Sequence, residues 1–183
     1  MATQTQKYLA LLRGINVGGK NIIKMEDLSE AFVSLGFSDV KTYIQSGNVT
    51  FVPKASTKPV LKKKIEKVIL DTFGMTVPVI LRSKTEVDKM VKAAPFGKLT
   101  EDKKVKLYVC FMDALPAEEP AMPCIIDKEG LELIRISGQD AFVVSRPIDG
   151  NYGFPNNIIE KKLKVTSTAR NWKTVIRIHE EIS

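Results

Sequence analysis

The chain has 183 residues, 44% of them hydrophobic, and a formal net charge of +7. A chain of this length can bury a hydrophobic core without disulfides or metals, as one large domain or two small ones. No apolar stretch approaches the ~20 residues of a membrane span and no signal-peptide pattern begins the chain, so we expect a soluble, cytoplasmic protein with no membrane contact.

The first half of the chain predicts the order strand, helix, strand, strand, helix, strand. Tyr8–Leu12 is continuously apolar, which is typical of a strand buried on both faces. A helix is predicted from Met25 to Leu35, with Gly36 in the left-handed cap position. The other strands are predicted at 40–45, 49–52 and 76–81, with a helix at 57–73 that Thr57 caps and Gly74 ends, and a short helix pattern at 87–91.

A boundary is predicted where Ala94-Pro95-Phe96-Gly97 precedes the charged run 100–104. Beyond it, strands are predicted at 105–112, 131–136 and 141–144, with a proline-rich connection at 115–123 and a helix around 158–163. A last helix is predicted to open at Thr168, which would cap it, while Trp172 anchors it in the core. Arg170, Lys173 and Arg177 would share the opposite, solvated side of that helix.

The two halves share one order of elements around a Ser-Gly turn. The first half has the β-α-β-β-α-β order of the ferredoxin-like unit. The predicted fold class is therefore α+β, with two ferredoxin-like (α-β plait) units in tandem, the second one less regular. The predicted domains are 1–94 for the first unit, 95–104 for a linker, and 105–183 for the second unit with the C-terminal helix.

A polar glycine loop and a hairpin tip are predicted to meet at one edge of the first sheet. The crossover topology places the end of the first strand beside the start of the third and the end of the second. Glycines would let backbone N–H groups face a ligand, while cations and amides supply charge and hydrogen bonds. The predicted ligand-binding residues are Arg13, Gly14, Asn16, Gly18, Gly19, Lys20, Asn21, Gln45, Ser46 and Asn48.

Simpler roles exist for the same residues. Gly18 and Gly19 can make a turn only, and Asn48 can serve a hairpin that needs a left-handed residue. The helix that begins near Met25 would add a favourable dipole for an anion. A possible second site comprises Thr168, Arg170 and Asn171.

The segment Gly14–Lys20 fits the first seven positions of the phosphate-loop pattern, but Asn21 stands where that motif needs Ser or Thr for magnesium. The apolar helix pattern also starts near Met25 and not at Lys20. Nucleotide triphosphate hydrolysis on a phosphate-loop fold is therefore disfavoured.

Cysteine and histidine provide little for metal or catalytic chemistry. Cys110 and Cys124 stand without a partner motif, and Cys110 falls in an apolar run typical of a core strand. The single histidine, His179, shares the apolar stripe of Trp172 and is predicted to be a partly buried packing residue. We predict no metal site and no cofactor, and we identify no catalytic residue.

Three functions remain open. The first is binding of an anionic, phosphate-bearing small molecule or nucleotide at the edge formed by the 13–21 loop and the 45–48 tip. The second is nucleic-acid binding through the lysine-rich helix 57–73, since a basic patch attracts phosphates, although a solvated helix face explains the lysines equally well. The third is an enzyme acting on a phosphorylated substrate. The oligomeric state is not specified by the sequence.

Three motifs together carry a family resemblance. They are Ala10-Leu-Leu-Arg-Gly-Ile-Asn-Val-Gly-Gly-Lys-Asn21, Thr42-Tyr-Ile-Gln-Ser-Gly-Asn48 and Thr168-Ala-Arg-Asn-Trp-Lys-Thr-Val175. In these the chain resembles the bacterial domain of unknown function 1697 family over nearly its whole length. The resemblance implies a duplicated ferredoxin-like architecture and a shared signature in the three segments. It implies no catalytic residue, since the family has no established activity.

Overall fold

The computed structural model describes residues 6–182, which form a mixed α+β fold with two antiparallel sheets and five helices. The strands are β1 (Tyr8–Leu12), β2 (Ser38–Tyr43), β3 (Asn48–Val52), β4 (Val79–Ser83), β5 (Lys106–Met112), β6 (Cys124–Ile126), β7 (Leu131–Ser137), β8 (Asp140–Ser145) and β9 (Ser167–Asn171). The helices are α1 (Met25–Ser34), α2 (Lys58–Phe73), α3 (Lys84–Lys92), α4 (Asn156–Leu163) and α5 (Trp172–Ile182), with a short 3-10 helix at Asp127–Glu129.

The first sheet has the strand order β2-β3-β1-β4. Its central strand β1 is buried at all five positions and pairs antiparallel with β3 on one side and β4 on the other. Leu9, for example, lies opposite Thr50 on β3 and opposite Arg82 on β4. A strand flanked on both edges and covered on both faces must be apolar throughout, which explains the sequence Tyr-Leu-Ala-Leu-Leu.

The core of this sheet lies on the face that α1 and α2 cover. Leu28 and Phe32 of α1 and Ile65 of α2 are fully buried there. Phe32 packs edge-on against Phe51 of β3, with ring centroids 5.4 Å apart. Gly36 and Gly74, the predicted helix ends, have φ of 76° and 69°, so both predicted left-handed positions are confirmed.

The second sheet has the order β6-β7-β8-β5-β9. Strand β5 is an inner strand, pairing antiparallel with β8 on one side and with the edge strand β9 on the other. Its core joins Cys110 and Met112 of β5 to Ile159 and Leu163 of α4. Cys110 is fully buried, as predicted, and burial raises the pKa of its thiol well above the usual range.

The predicted helix opening at Thr168 is wrong. Ser167–Asn171 is instead strand β9, in which Ala169 lies opposite Cys110 of β5. Arg170 is 7% exposed rather than on a solvated helix face, and Asn171, not Thr168, caps α5 by accepting a hydrogen bond from Lys173 N at 3.0 Å. Tertiary pairing with the apolar β5 decides the conformation over local capping signals.

Two further elements differ from the prediction. Strand β4 lies at 79–83 instead of 76–81, because the polar Arg82 and Ser83 pair with Leu9 and Tyr8 of β1. The short edge strand β6 lies directly after the proline-rich connection predicted at 115–123, where the sequence predicts no strand. No helix within residues 6–182 is long and apolar enough to cross a membrane.

The chain divides into two compact units. One extends to Lys89 and resumes at Ile178, and the other runs from Met90 to Arg177. The predicted linker at 95–104 and the placement of the whole C-terminal helix in the second unit stay predictions.

The start of α3 is a capping box in the first unit. Ser83 N donates to Glu86 Oε2 at 2.7 Å, and Glu86 N donates to Ser83 Oγ at 3.3 Å. Lys58 Nζ also donates to Glu86 Oε1 at 2.6 Å, so Glu86 ties α2 to α3. Burial raises the pKa of Glu86, but the hydrogen bonds from Lys58 and Ser83 outweigh it and the pKa is lowered.

A lowered pKa in the folded state means that ionised Glu86 contributes stability above its ordinary pKa of 4.5, and that this contribution is lost as the pH falls through the folded-state pKa. We predict that Glu86→Gln lowers the free energy of unfolding at neutral pH by about 1 kcal/mol or less, since the group is partly exposed. The variant should also flatten the acid limb of stability against pH in urea unfolding. Glu30→Gln, at an exposed position of α1, is the control and should retain the wild-type acid limb. An unchanged acid limb in Glu86→Gln would contradict the assignment.

Candidate functional site

The loop that follows β1 and the turn between β2 and β3 lie side by side at one edge of the first sheet. Leu12 N donates to Gly47 O at 2.9 Å, and the Asn16 side chain donates to Gln45 O at 2.9 Å. The antiparallel pairing of Leu11 with Asn48 fixes this arrangement. We call the loop 13–21 together with the tip 45–48 the loop–tip edge.

Asn16 joins the parts of this edge. Its amide nitrogen donates to the carbonyls of Ile23 and Gln45, each at 2.9 Å, and its oxygen accepts from Ile23 N at 2.8 Å. Its backbone lies in the left-handed region, at φ 54°. Both amide hydrogens therefore serve the protein itself, and Asn16 acts as the clamp that holds the loop on the tip.

The outer part of the loop is a small hairpin. Lys20 N donates to Val17 O at 3.0 Å, and the central residues Gly18 and Gly19 have φ of 58° and 74°. Positive φ at both central positions is typical of a type I′ turn. A Cβ at either glycine would meet no atom within 4 Å, so these two backbones border open space.

The tip is closed more tightly. Asn48 is 1% exposed, and its amide donates to Tyr43 O at 3.0 Å and to Ser46 Oγ at 2.9 Å. A Cβ on Gly47 would lie 2.8 Å from Leu12 Cβ and from Ile15 Cδ1, and its φ is 75°. These contacts support the simpler role of Asn48, which is to stabilise the turn. Its predicted ligand role stays a prediction.

The electrostatics of the edge are positive. Segments 13–24 and 43–50 contain Arg13, Lys20 and Lys24 and no acidic residue. Lys20 is exposed, and Arg13 is half-buried, its backbone N–H donating to Pro78 O at 3.0 Å. The expected help from the α1 dipole is reduced, because Glu26 and Asp27 occupy the first turn of that helix.

The remaining members of the predicted site complete the edge. Asn21 lies at φ 50°, and its side-chain amide donates to Gly14 O at 3.0 Å, which closes the base of the small hairpin. Gln45 is exposed and Ser46 is half-buried. The structure therefore holds the loop against the tip through Asn16, with Asn21 and Asn48 as further parts of the framework.

The possible second site lies in the second unit and is internally occupied. Arg170 Nη1 donates to Thr168 Oγ1 at 2.8 Å and to Ala169 O at 2.9 Å, and burial lowers the pKa of Arg170 to about 10, so that it stays charged at neutral pH. Asn171 donates from its side chain to Glu101 Oε1. The ligand role of these three residues stays a prediction.

Sequence reasoning missed Glu101. Its side chain is 3% exposed, Oε1 also accepts from Leu107 N at 2.9 Å, and Lys173 Nζ lies 4.0 Å from Oε2. Oε2 makes no hydrogen bond within residues 6–182. Glu101 falls in a charged run that the sequence predicts to be a linker. Its position shortly before β5 is the one feature of the sequence that could indicate a buried role.

The lysines of α2 are partly neutralised. Lys58 pairs with Glu86, Lys62 with Glu66 and Lys67 with Asp71, the last two as i,i+4 pairs along the helix. Such pairs are typical of a solvated helix face. They reduce the positive potential that a nucleic acid would meet there.

Two kinds of chemistry find little support. No group of histidine, cysteine or carboxylate side chains in the part of the chain that the structure describes could hold a metal ion. Helix α1 begins at Met25, five residues after Lys20, so the loop does not run into a helix as a phosphate-binding loop does. His179 is half-buried, as predicted, and its Nε2 lies 3.0 Å from Asp88 Oδ1, so the structure adds a polar contact to the predicted packing role.

Comparison with known proteins identifies the family and the fold. The family model "Protein of unknown function (DUF1697)" matches residues 5–142, well over half of the chain. The chain belongs to this family. It is also similar in structure to the conserved bacterial protein SP0830 from Streptococcus pneumoniae, with a TM-score of 0.64 and 24% sequence identity over 97% of this chain and 99% of that one. This likeness shows the fold alone. No curated protein matches the chain.

Gly47 is the most constrained glycine of the loop–tip edge. We predict that Gly47→Ala lowers the free energy of unfolding by about 3 kcal/mol, through the clash with Leu12 and Ile15 and the positive φ. Gly18→Ala has a similar φ without the clash, and should cost about 1 kcal/mol. Urea unfolding followed by circular dichroism measures both. Equal losses would show that the close approach contributes nothing.

At position 16, the effect of the side-chain hydrogen bonds can be separated from the effect of the positive φ. Asn16→Gly keeps a residue suited to positive φ but removes three hydrogen bonds, and should lower the free energy of unfolding by about 1–3 kcal/mol. Amide hydrogen exchange at Ile23, whose N–H loses its acceptor, should become faster. Unchanged exchange at Ile23 would contradict the clamp.

Proposed function

We propose that the loop–tip edge binds an anionic, phosphate-bearing small molecule or nucleotide. The observation that carries the proposal is the hydrogen bond from Asn16 to Gln45 O at 2.9 Å, which holds the glycine loop against the hairpin tip. Through it, residues distant in sequence share one preorganised edge without any acidic side chain. Preorganised donors bind anions with less ordering cost than mobile ones.

The residues of this edge divide into two groups in the proposal. Asn16, Asn21 and Asn48 form the framework, because their side-chain amides already donate within the edge. Arg13 and Lys20 supply charge, while Gln45, Ser46 and the backbone amides of Gly14, Gly18 and Gly19 contribute hydrogen bonds. The open space beside Gly18 and Gly19 would admit an oxyanion close to the backbone.

We predict that pyrophosphate and adenosine monophosphate raise the melting temperature of the wild-type protein, because a ligand of the folded state stabilises it. Lys20→Ala should weaken pyrophosphate binding about threefold to tenfold in calorimetric titration, through the loss of one charge-assisted contact. Lys24→Ala removes another exposed lysine, just outside the loop, and is the matched control.

Two outcomes would count against the proposal. One is no thermal shift with any phosphate compound of a metabolite panel. The other is an equal loss of affinity in Lys20→Ala and Lys24→Ala, since a diffuse positive potential would then explain the binding. Arg13→Ala extends the series, with circular dichroism to confirm that the variant is folded.

Nucleic-acid binding through α2 is the second candidate, and the ion pairs along that helix weigh against it. Lys63 and Lys64 stay exposed and would have to provide most of the contacts. A nucleic-acid complex should lose affinity steeply with added salt, and Lys63→Ala should weaken it. An enzyme acting on a phosphorylated substrate would use the same loop–tip edge, with a nucleophile or base that the site does not identify.

We also propose that the fold is a tandem of ferredoxin-like units that arose by duplication, the second one less regular. The first unit has the order β-α-β-β-α-β and the sheet order β2-β3-β1-β4. In the second, β7-β8-β5-β9 follows the same order, with the first helix replaced by a connection that contains β6. Buried Arg82 and Arg170 hold corresponding places, opposite Leu9 and Val109, and each donates to the carbonyl of the residue before it.

We also propose that the protein is cytoplasmic. Cys110 and Cys124 are both free thiols, which suits a reducing compartment.

A further inference from the structure

An open groove of about 870 Å³ follows strand β2, the outer strand of the first sheet. All its lining residues belong to the first unit. Helix α1 contributes Ser29 and Val33, strand β2 contributes 40–43, and the end of α5 contributes Ile178 and Glu181. The groove is separate from the loop–tip edge, with which it shares no predicted ligand-binding residue.

The groove reaches both faces of an edge strand. Val40 packs against the core that α1 covers. Lys41 lies opposite Thr50, which also lines the groove and whose chain neighbours Val49 and Phe51 face that core, so Lys41 and Thr50 belong to the other face. Among the described strands, β2 pairs with β3 alone. An extended chain that pairs with β2 would present alternate side chains to these two faces.

The usable edge is short. Asp39 has φ 47°, and the pairing of β2 with β3 shifts register between Ser38 and Lys41, which ends the regular edge on that side. The remaining residues Val40–Tyr43 can pair with only a few residues of a partner. Because so short a ladder offers few main-chain hydrogen bonds, we expect a weak and reversible interaction.

The charge of the groove selects its occupant. Glu26, Glu30 and Glu181 line it against the single cation Lys41, although the chain as a whole carries +7. Val33 of α1, 56% exposed, adds an apolar surface. A second copy of this chain pairing through its own β2 would bring its acidic groove residues to the same place, where like charges repel. A cationic segment gains from the same charges.

A buried polar group in the lining points the same way. Thr50 is 3% exposed, and its hydroxyl makes no hydrogen bond within residues 6–182. A buried hydroxyl without a partner is costly, and because β2 lies between β3 and an added strand, a long side chain of that strand is the group that could supply one. We propose that the edge of β2 is a docking site for a basic, extended segment of another polypeptide, which adds to the sheet as a further strand.

The test uses three peptides on the full-length protein at physiological salt. The first is acetyl-Lys-Val-Thr-Lys-Val-Thr-Lys-amide, which places lysines on both faces of a strand. The second replaces the lysines with glutamates. The third is the first peptide with every second backbone nitrogen methylated, which keeps the side chains but prevents strand pairing. Titrations are followed by the amide NMR signals of residues 40–43.

The basic peptide should shift those signals, and the acidic and methylated peptides should bind about tenfold more weakly or worse. Glu30→Lys should weaken the basic peptide by about threefold to tenfold, because a charge in the lining is reversed. Asp27→Lys makes the same charge change on an exposed position of α1 outside the lining, and should change the affinity less than about twofold.

Three results would overturn the proposal. Equal binding of the methylated peptide would show a side-chain pocket instead of strand addition. Equal or tighter binding of the acidic peptide would show that overall charge dominates. A concentration-dependent dimer in sedimentation equilibrium, with β2 signals altered by self-association, would make a second copy the occupant.

Discussion

Both sheets depend on an inner strand that is apolar at nearly every position and paired on both edges. Strand β1 is buried along its whole length between β3 and β4, and β5 holds the same place between β8 and β9. The strands that pair with these two strands bury polar residues beside them, among them Asn48, Arg82 and Arg170. Burying these groups is tolerable only because each makes hydrogen bonds, which Asn48 and Arg170 do with their own strands and turns.

The same constraint sets the loop–tip edge. With Leu11 opposite Asn48, the tip lies directly against the end of β1, and the space left admits no side chain at position 47. The polar residues of the loop–tip edge therefore serve first to hold the loop and the tip in place. Any ligand function is added to a framework that the fold already requires, with the exposed Lys20 and the open glycine backbones as its outward part.

Apolar continuity and turn chemistry were sufficient to predict most of the first half. Local sequence preferences and tertiary contacts agree there. This holds for the apolar strand Tyr8–Leu12, for the apolar stripe of α1 and for the glycines that end the helices. Strand β9 could not be predicted from local preferences. An arginine such as Arg170 indicates a surface position, and its burial follows only from the pairing of β9 with β5. The meeting of loop and tip followed from topology, but the use of Asn16 as a clamp did not, since nothing in a single amide indicates its partners. The groove along β2 could not be predicted from the sequence either, because its walls come from residues near 30, 40 and 180, which are far apart in the chain.

The burial of Cys110 has a consequence for how the protein meets oxidants. Because its sulfur is sealed in the second core with a raised pKa, almost none of it exists as the reactive anion at cellular pH. Peroxide or alkylating reagents will therefore reach the partly exposed Cys124 at the sheet margin first. Modification is thereby directed to a three-residue edge strand, where Cys124 packs against the margin of the second core.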